Sequence, residues 1–144
     1  MEIKIYEKLP QEAITIRTKV FMEEQGFKNE FDDIDQISIH FVLFDSDIPA
    51  ATCRVYFSDK KASYVIGRIA VEKVFRGKDY GTGILQCAEK EIIKRGGKQA
   101  ILSAQYSAAA FYEKQGYCKY GDSYLDERCP HAWMRKELNK NDNV

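Results

Sequence analysis

The sequence predicts a single α/β domain built on a mixed, mostly antiparallel sheet of about seven strands. Three observations lead to this prediction. Short runs of alternating or β-branched apolar residues recur along the chain, which is typical of strands. Longer segments between them carry apolar residues at helical spacing. The length of 144 residues suits one domain with a full hydrophobic core.

The predicted elements follow the order β-α-β-β-β-α-β-α-β-β. The strands are expected at residues 2–7, 38–44, 50–58, 64–71, 99–104, 117–125 and 131–137. The helices are expected at residues 10–25, 84–95 and 107–115. Short connections make the second to fourth strands an antiparallel meander, and a helical crossover pairs the fourth strand with the fifth in parallel. We assign residues 1–138 to the domain and residues 139–144 to a polar tail.

The composition excludes several classes of function. Lys+Arg and Asp+Glu are 22 each, and this balance argues against a nucleic-acid partner. No apolar run is long enough to span a membrane, and the N-terminus lacks the pattern of a signal peptide. The four cysteines form no Cys-x-x-Cys pair, so we expect free thiols, no metal site and a cytoplasmic location.

The first predicted helix carries two charges within its apolar face. That face is formed by Ala13, Ile14, Ile16, Val20 and Phe21. Arg17 and Glu24 fall in its middle, where a charge is costly unless it is paired or lines a wet cleft. Seven helical residues separate them by about 10 Å, so each is expected to meet another element. A structural ion pair and a substrate contact remain open for both.

Residues 27–36 form an acidic loop, with Glu30, Asp32, Asp33 and Asp35. The loop lacks the ligand spacing and the central glycine of an EF-hand. It could attract a cationic acceptor, or it could neutralise buried arginines. The second explanation is supported by Arg54 and Arg68, because each lies inside an apolar strand.

Residues 71–83 form a basic, glycine-rich turn between the fourth strand and the next helix. Unsatisfied N–H groups and the helix dipole favour an anion at the start of a helix. Glycines allow a bulky anion to approach, and Lys73, Arg76 and Lys78 add positive charge. Neither a P-loop nor a dinucleotide-binding motif fits the spacing. The turn therefore predicts a phosphate site, with an ordinary charged surface turn as the alternative.

The same turn resembles the acyl-CoA loop of the GNAT acetyltransferases, Gln/Arg-x-x-Gly-x-Gly/Ala. Arg76 and Gly81 match this signature, whereas Asp79 stands where its first glycine is expected. Residues 111–117, Phe-Tyr-Glu-Lys-Gln-Gly-Tyr, resemble the family's Phe-Tyr-Glu-Lys-x-Gly-Phe. Further stretches resemble the ElaA/YjcF-like subgroup of small bacterial GNAT proteins, at residues 20–26, 31–41, 67–71, 104–105 and 130–136. The likeness covers nearly the whole chain.

The resemblance implies the GNAT fold and an N-acetyltransferase, which moves an acetyl group from acetyl-CoA to an amine by direct attack. The acceptor would be a small amine or a protein or peptide amine. Tyr112 is the implied general acid, which protonates the leaving thiolate. The implied acetyl-CoA contacts are Ile69, Ala70 and Val71 for the pantetheine arm, Arg76, Gly77, Lys78, Asp79, Tyr80, Gly81 and Thr82 for the pyrophosphate, and also Gln105 and Phe111.

The general base is left open among Glu24, His40 and His131, and a chain of water molecules could replace all three. Glu24 is named as catalytic because of its place on the inner helix face, whereas both histidines could be structural. The residues expected on the acceptor side are Arg17, His40, Arg54 and His131. The sequence does not identify the acceptor or the oligomeric state, for which a homodimer is one option.

Two other functions remain open at this point. One is a CoA-binding sensor or interaction module with little or no turnover. Asp79 favours it, because a carboxylate near a pyrophosphate repels it unless the side chain points outward or pairs with Lys78. The other is an unrelated phosphate-binding α/β domain, which would show no preference for CoA over ATP.

Overall fold

A computed structural model describes residues 1–139. Its strands are β1 (Glu2–Tyr6), β2 (Ile39–Asp45), β3 (Ile48–Ser58), β4 (Ser63–Val71), β5 (Gln99–Gln105), β6 (Cys118–Asp126) and β7 (Cys129–Glu137). Its α-helices are α1 (Gln11–Arg17), α2 (Ile34–Ile37), α3 (Tyr80–Lys94) and α4 (Ala109–Lys114). A π-helical segment, Thr18–Glu24, continues α1. Single 3-10 turns at Lys73–Phe75 and Tyr106–Ala108 precede α3 and α4.

The seven strands follow the order β1-β2-β3-β4-β5-β7-β6, which confirms the predicted mixed sheet. β1 pairs with β2, and β2 with β3, in antiparallel orientation. β4 pairs with β5 in parallel, through Tyr64 with Ala100 and Val65 with Ile101. β7 then pairs antiparallel with both β5 and β6. The crossover through α3 therefore joins parallel strands, as predicted.

The chain divides into two compact units. The first unit contains Met1–Phe57 and Ile66–Ala88, and the second contains residues 58–65 and residues 89–139 of the described chain. The strand β4 passes from the second unit to the first after Val65, and α3 passes from the first to the second after Ala88. The 1–138 boundary of the domain stays a prediction. Residues 140–144 of the predicted tail lie outside the described residues.

The core of the first unit lies where α1 and the π-helical segment pack against the sheet. Its buried members are Ala13, Ile16, Val20, Phe21, Val42 and Ala70. α1 begins directly after Pro10, whose carbonyl oxygen accepts hydrogen bonds from the N–H groups of Ala13 and Ile14. Each large apolar side chain buried here stabilises the fold by about 1.5–3 kcal/mol.

The first helix differs from the prediction in its second half. A single α-helix was expected over residues 10–25, but the N–H of Gln25 donates to the carbonyl oxygen of Val20, five residues earlier. This wider turn rotates later side chains away from a regular helical stripe. Arg17 has its expected place on the inner helix face, since it is 1% exposed, whereas the expected place of Glu24 on that face is wrong, because Glu24 is exposed.

The boundary of α3 also differs from the prediction. The helix begins at Tyr80, four residues before the expected start at residue 84. Asp79 is the last residue before it and has a left-handed backbone with φ of +63°. Its carbonyl oxygen accepts a hydrogen bond from the N–H of Gly83 at 3.0 Å. Gly81, Thr82 and Gly83 therefore belong to the first turn of the helix.

The second unit buries a carboxylate that α3 itself carries. Glu89 is 2% exposed and accepts a hydrogen bond from the hydroxyl of Tyr117 at 2.7 Å. Lys136 Nζ donates to its other oxygen at 3.1 Å. Both carboxyl oxygens of Glu89 therefore have donors, and neither is left as an unpaired buried acceptor.

Alanine at Gly97 is expected to destabilise the second unit. An added Cβ would lie 2.4 Å from Ile92 Cγ2, 2.8 Å from Tyr64 Cδ2 and 3.0 Å from the carbonyl oxygen of Ile92. A backbone atom and packed side chains cannot move aside without strain, so the free energy of unfolding should fall by about 1–3 kcal/mol. Urea denaturation of Gly97→Ala beside the parent measures this loss.

Gly83→Ala is the matched control. Its added Cβ would meet Leu43 Cδ1 at 3.8 Å and Met1 Cε at 3.9 Å, which are ordinary contacts. Alanine also favours a helix over glycine by about 1 kcal/mol, so this variant should be neutral or slightly more stable. If Gly97→Ala has the parent's urea midpoint, the close packing described at this glycine is wrong.

Candidate active site

The turn before α3 contains two residues with left-handed backbones. Gly77 has a left-handed backbone, with φ of +85°, as does Asp79 with φ of +63°. Glycine adopts such angles without strain, which explains why a glycine is expected at position 79. Aspartate is among the few other residues that tolerate this region. Asp79 therefore has the backbone angle of a glycine position although it departs from the signature.

Arg76 is bound by the first unit's own groups. Its Nη1 and Nη2 donate to the two carboxylate oxygens of Glu24, at 2.7 and 2.8 Å. Its Nε donates to the carbonyl oxygen of Val71 at 3.0 Å. The hydrogen bond from Arg76 lowers the pKa of Glu24 below its usual value of 4.5. A carboxylate whose pKa is lowered is a weaker proton acceptor, so Glu24 is a poor base while this pair persists.

The other end of the loop is tied to Asp45, at the end of β2. The hydroxyl of Tyr80 donates to Asp45 Oδ2 at 2.6 Å, and Lys78 Nζ lies 3.5 Å from the same oxygen. The hydrogen bond from Tyr80 lowers the pKa of Asp45, and the same bond raises the pKa of Tyr80. Asp45 was not among the predicted site residues, because 33 residues separate it from Lys78 and no local pattern links them.

Two cations of the loop, Arg76 and Lys78, therefore face carboxylates of the protein. Arg76 is paired with Glu24 in an exposed position, with the side chains 40% and 35% exposed. Exposed pairs of this kind contribute about 0–1 kcal/mol, so another anion can replace the carboxylate at little cost. Chemically, the loop can exchange its own carboxylates for the phosphates of a ligand.

The acidic loop is fastened to the first unit by the buried guanidinium of Arg17. Arg17 Nε donates to Glu30 Oε2 at 2.8 Å, and its Nη1 and Nη2 donate to the two oxygens of Asp35 at 2.7 and 3.1 Å. Nη2 also donates to the carbonyl oxygen of Glu30 at 3.1 Å. The ring of Phe31 lies 4.7 Å from the guanidinium carbon. These contacts confirm that Arg17 meets another element.

Two strand arginines complete this ionic cluster. Arg54 Nη1 donates to Asp32 Oδ1 at 2.7 Å and to Asp35 Oδ1 at 2.9 Å. Arg68 Nε lies 3.0 Å from Glu30 Oε2, and its Nη2 donates to Asp32 Oδ2 at 3.2 Å. Arg68 has a left-handed backbone, with φ of +53°, in the middle of β4. Of the two explanations left open for the acidic loop, these contacts support the neutralisation of Arg54 and Arg68.

The cluster shifts the pKa values of its carboxyl groups in opposite directions. Burial raises the pKa of Glu30, and Arg68 and Arg17 offset this only in part. Burial also raises the pKa of Asp35, but hydrogen bonds and charges from Arg17 and Arg54 outweigh it and lower the pKa to about 2. Asp35 is therefore held as a carboxylate at neutral pH.

His40 lies beneath the same cluster and is 1% exposed. Its Nε2 donates to the carbonyl oxygen of Asp35 at 3.0 Å. Burial lowers the pKa of His40 below 6.5, so the ring is neutral at neutral pH. Three of the residues expected on the acceptor side, Arg17, His40 and Arg54, are thus buried in the support of the acidic loop, which favours their structural explanation.

The second unit contains the other predicted site residues. Tyr112 lies on α4, is 8% exposed, and meets Phe111 and Tyr117 edge to face with ring centroids 5.1 and 6.1 Å apart. Gln105 is the last residue of β5 and pairs with His131 on β7. His131 Nδ1 donates to the carbonyl oxygen of Cys129 at 2.9 Å. The structure thus brings Phe111 next to Tyr112, and Gln105 next to His131.

Within residues 1–139, no three His, Cys, Asp or Glu side chains are grouped so that they could hold a metal ion. In the same range, no helix combines the length and the apolar character needed to cross a membrane.

Comparison with known proteins identifies the fold and the family. A family model for the acetyltransferase (GNAT) domain matches residues 6–138. The uncharacterized N-acetyltransferase YjcF of Bacillus subtilis is 32% identical over 130 residues, which cover 88% of this chain and 91% of YjcF. The structure of Escherichia coli ElaA is similar at a TM-score of 0.82, with 24% identity over 94% of this chain and 99% of ElaA. The predicted resemblance to this subgroup and the predicted fold class are confirmed.

A more distant structure shares only the fold. It is an aminoglycoside 6′-N-acetyltransferase complexed with coenzyme A, similar at a TM-score of 0.76 with 17% identity, over 95% of this chain and 97% of that one.

Acid is expected to weaken the ionic cluster through Asp35. The pKa of Asp35 falls from 3.8 to about 2 on folding, so its contribution to stability is present above about pH 4 and is lost as the pH falls towards 2. Asp35→Asn should be less stable than the parent at pH 7 and should show a smaller decrease in melting temperature over this range. Thermal unfolding at a series of pH values measures both effects.

Asp33→Asn is the control, because Asp33 is an exposed neighbour of the cluster. It should follow the parent at every pH. An Asp35→Asn variant with the parent's acid profile would show that the cluster does not hold Asp35 ionised.

Proposed function

Because this chain belongs to the GNAT family of acetyltransferases, we propose that it transfers an acetyl group from acetyl-CoA to the amine of an acceptor. The observation that carries the proposal is the turn before α3. In this turn Gly77 and Asp79 have left-handed backbones, and a new helix begins at Tyr80. Unsatisfied N–H groups at such a helix start suit a pyrophosphate.

Binding of acetyl-CoA is assigned to the residues that match the family's motif. The backbone of Ile69, Ala70 and Val71 would hold the pantetheine arm, and residues 76–82 would hold the pyrophosphate. Gln105 and Phe111 are proposed to contact the same ligand. The four cysteines are free thiols, which fits a reducing compartment, so we place the reaction in the cytoplasm.

The reaction needs one proton donor and one proton acceptor. The acceptor nitrogen forms a bond to the acetyl carbonyl carbon, the C–S bond breaks, and the electron pair leaves on sulfur. Tyr112 would donate its phenolic proton to this thiolate, since a tyrosine is ordinarily protonated at neutral pH. The nitrogen loses its own proton to a base, for which Glu24 and His131 remain proposals and water is the alternative.

The pair between Glu24 and Arg76 suggests how Glu24 could become a base. While Arg76 holds it, the lowered pKa of Glu24 disfavours proton transfer. A pyrophosphate bound to the loop would attract Arg76, and the released carboxylate would recover its ordinary basicity. Binding of acetyl-CoA would then prepare the proton acceptor before the amine reacts.

A CoA-binding module without turnover is the second candidate function. The observation that favours it is the carboxylate content of the loop. Asp79 stands in the turn itself, while Glu24 and Asp45 occupy two of its cations. Such a loop would bind CoA weakly, and only while these contacts are broken.

Tyr112→Phe tests the proposed reaction. We expect the parent to release free thiol from acetyl-CoA when an amine is present. Without an amine, no thiol should be released. Tyr112→Phe keeps the ring but removes the acidic proton, so single-turnover acetylation should slow by about 10²- to 10⁴-fold. Acetyl-CoA affinity, measured by calorimetry, should stay within a few-fold of the parent.

Tyr117→Phe is the matched control, because it removes a hydroxyl from a neighbouring buried ring that binds Glu89. It should lower the melting temperature and leave the rate per folded molecule unchanged. If Tyr112→Phe acetylates at the parent rate, the tyrosine serves packing alone. If acetyl-CoA binds and no amine reacts, the module without turnover is correct.

Glu24→Gln tests the role of the exposed carboxylate. Removing its charge frees Arg76, so acetyl-CoA should bind as tightly as to the parent or more tightly, while acetylation slows. The comparison is made by calorimetry and single-turnover kinetics over pH 6–9. Glu23→Gln changes an exposed neighbouring carboxylate and should match the parent in both measurements. Full acetylation by a Glu24→Gln variant that melts earlier would reduce Glu24 to an ion-pair partner.

A further inference from the structure

One face of the sheet in the second unit carries a row of aromatic side chains. Trp133 on β7 pairs directly with Tyr120 on β6, and His131 pairs with Tyr124. Paired residues on neighbouring strands point to the same side of a sheet. The intervening residue Ala132 is 5% exposed and points to the opposite side. These four rings therefore share one face.

The rings are ordered against one another. Tyr124 stacks on Trp133 with centroids 6.4 Å apart at 29°, and on His131 with centroids 5.7 Å apart at 25°. The hydroxyl of Tyr124 is hydrogen-bonded to Ser103 on β5. Trp133 is only partly buried, so part of its indole reaches the surface. The arrangement is a fixed aromatic platform made of Tyr120, Tyr124, His131 and Trp133.

An ammonium group already lies on this platform. Lys61, from the turn between β3 and β4, places its Nζ 3.9 Å from the centroid of the Trp133 ring. Among residues 1–139 the Lys61 ammonium meets no carboxylate, as is also true of Lys4 over Phe44 and Lys119 over Tyr106. The negative face of an indole attracts a cation, and tryptophan does so better than the other aromatic residues.

We propose that the Trp133 ring face is a binding site for an alkylammonium group of the acceptor, and that Lys61 occupies it when no acceptor is bound. Lys61 is itself an alkylammonium on a flexible chain, and its position shows the kind of group that the Trp133 ring can hold. Its side chain is exposed and belongs to a turn, so it can move into solvent when a ligand takes its place.

The protonation state of the bound group narrows the class of acceptor. An ammonium on the ring has no lone pair, so it cannot be the nitrogen that attacks the acetyl group. The platform would therefore anchor one amino group while a second, neutral amino group reacts. The acceptor class that fits is an alkyl chain with two amino groups, carried either by a small diamine or by a peptide with neighbouring lysines. The identification of the bound amine as an acceptor rests on the proposed function, whereas the ammonium site itself does not.

Trp133 is the single tryptophan of the chain, so its fluorescence reports on the platform alone. The parent is titrated with 1,4-diaminobutane, with n-butylamine, and with the neutral 1,4-butanediol, without acetyl-CoA. We expect a saturable change with both amines and none with the diol. A lysyl-lysine peptide in a parallel titration separates a peptide source from a small diamine by which of the two saturates at lower concentration.

Lys61→Gln removes the internal competitor and should tighten amine binding by about fivefold, the factor that corresponds to about 1 kcal/mol for one cation–ring contact. Lys60→Gln, at the exposed neighbouring residue, should bind as the parent does. Trp133→Leu, followed by calorimetry because it lacks the fluorophore, should lose the binding. In steady-state acetylation, Lys61→Gln should lower the KM for the diamine and leave kcat unchanged.

The outcomes separate this inference from the proposed function. Saturable amine binding without any acetyl transfer supports the ammonium site and overturns the proposed function. Acetyl transfer to amines with a silent Trp133, in both the parent and Lys61→Gln, overturns the site. An equal response to 1,4-butanediol overturns it as well. A midpoint of the amine titration that shifts with protein concentration shows that a second copy of the chain covers the platform. This result also overturns the proposed ammonium site.

Discussion

The first unit depends on the burial of one guanidinium group. Arg17 is 1% exposed, and removing a charge from water in this way is unfavourable by several kcal/mol unless partners surround it. Glu30 and Asp35 supply three carboxylate contacts and one carbonyl contact to its nitrogen atoms. Loss of one partner would leave an uncompensated buried charge, an effect of about 3–5 kcal/mol. The segment that carries these acids is therefore held to the rest of the first unit by its charged contacts with Arg17.

The turn before α3 also pairs basic side chains with carboxylates, but at the surface of the first unit. Here the ionic contacts of Arg76 and Lys78 are exposed and weak, so the loop can change partners. A carboxylate in the buried cluster is held firmly in place, whereas a carboxylate at the loop is held only weakly. Burial decides between the two, since the residue types involved are the same.

Much of the fold could be predicted from the sequence because apolar periodicity records it directly. All seven strands were expected, and the acidic loop was matched to Arg54 and Arg68, since charges inside apolar strands need partners. The pairing of Asp45 with the loop could not be predicted, because contacts between distant positions leave no local pattern. The exposure of Glu24 was also missed, since a π-helix and an α-helix share most of their apolar spacing.

Part of the predicted site could be placed and part could not. The sequence indicated that the turn before α3 has backbone angles suited to glycine, and Asp79 has such an angle. The roles of Tyr112 and of the acceptor-side residues depend on a ligand and on the movement of side chains, which periodicity does not record. The aromatic platform was missed because its rings alternate with other residues on two strands and look like ordinary strand composition.

The π-helical segment has a consequence for how this chain can vary in length. A hydrogen bond from Gln25 to Val20 closes a turn with one residue more than an α-helical turn contains. Deleting one residue from Thr18–Glu24 would let a regular α-helix span the same turns, because the wide turn accommodates one extra residue. The side chains after the deletion would keep the faces that they have now, so the carboxylate at the end of this helix would still face Arg76. A change of one residue in length would thus be absorbed within this segment, and the charges at the loop would stay as they are.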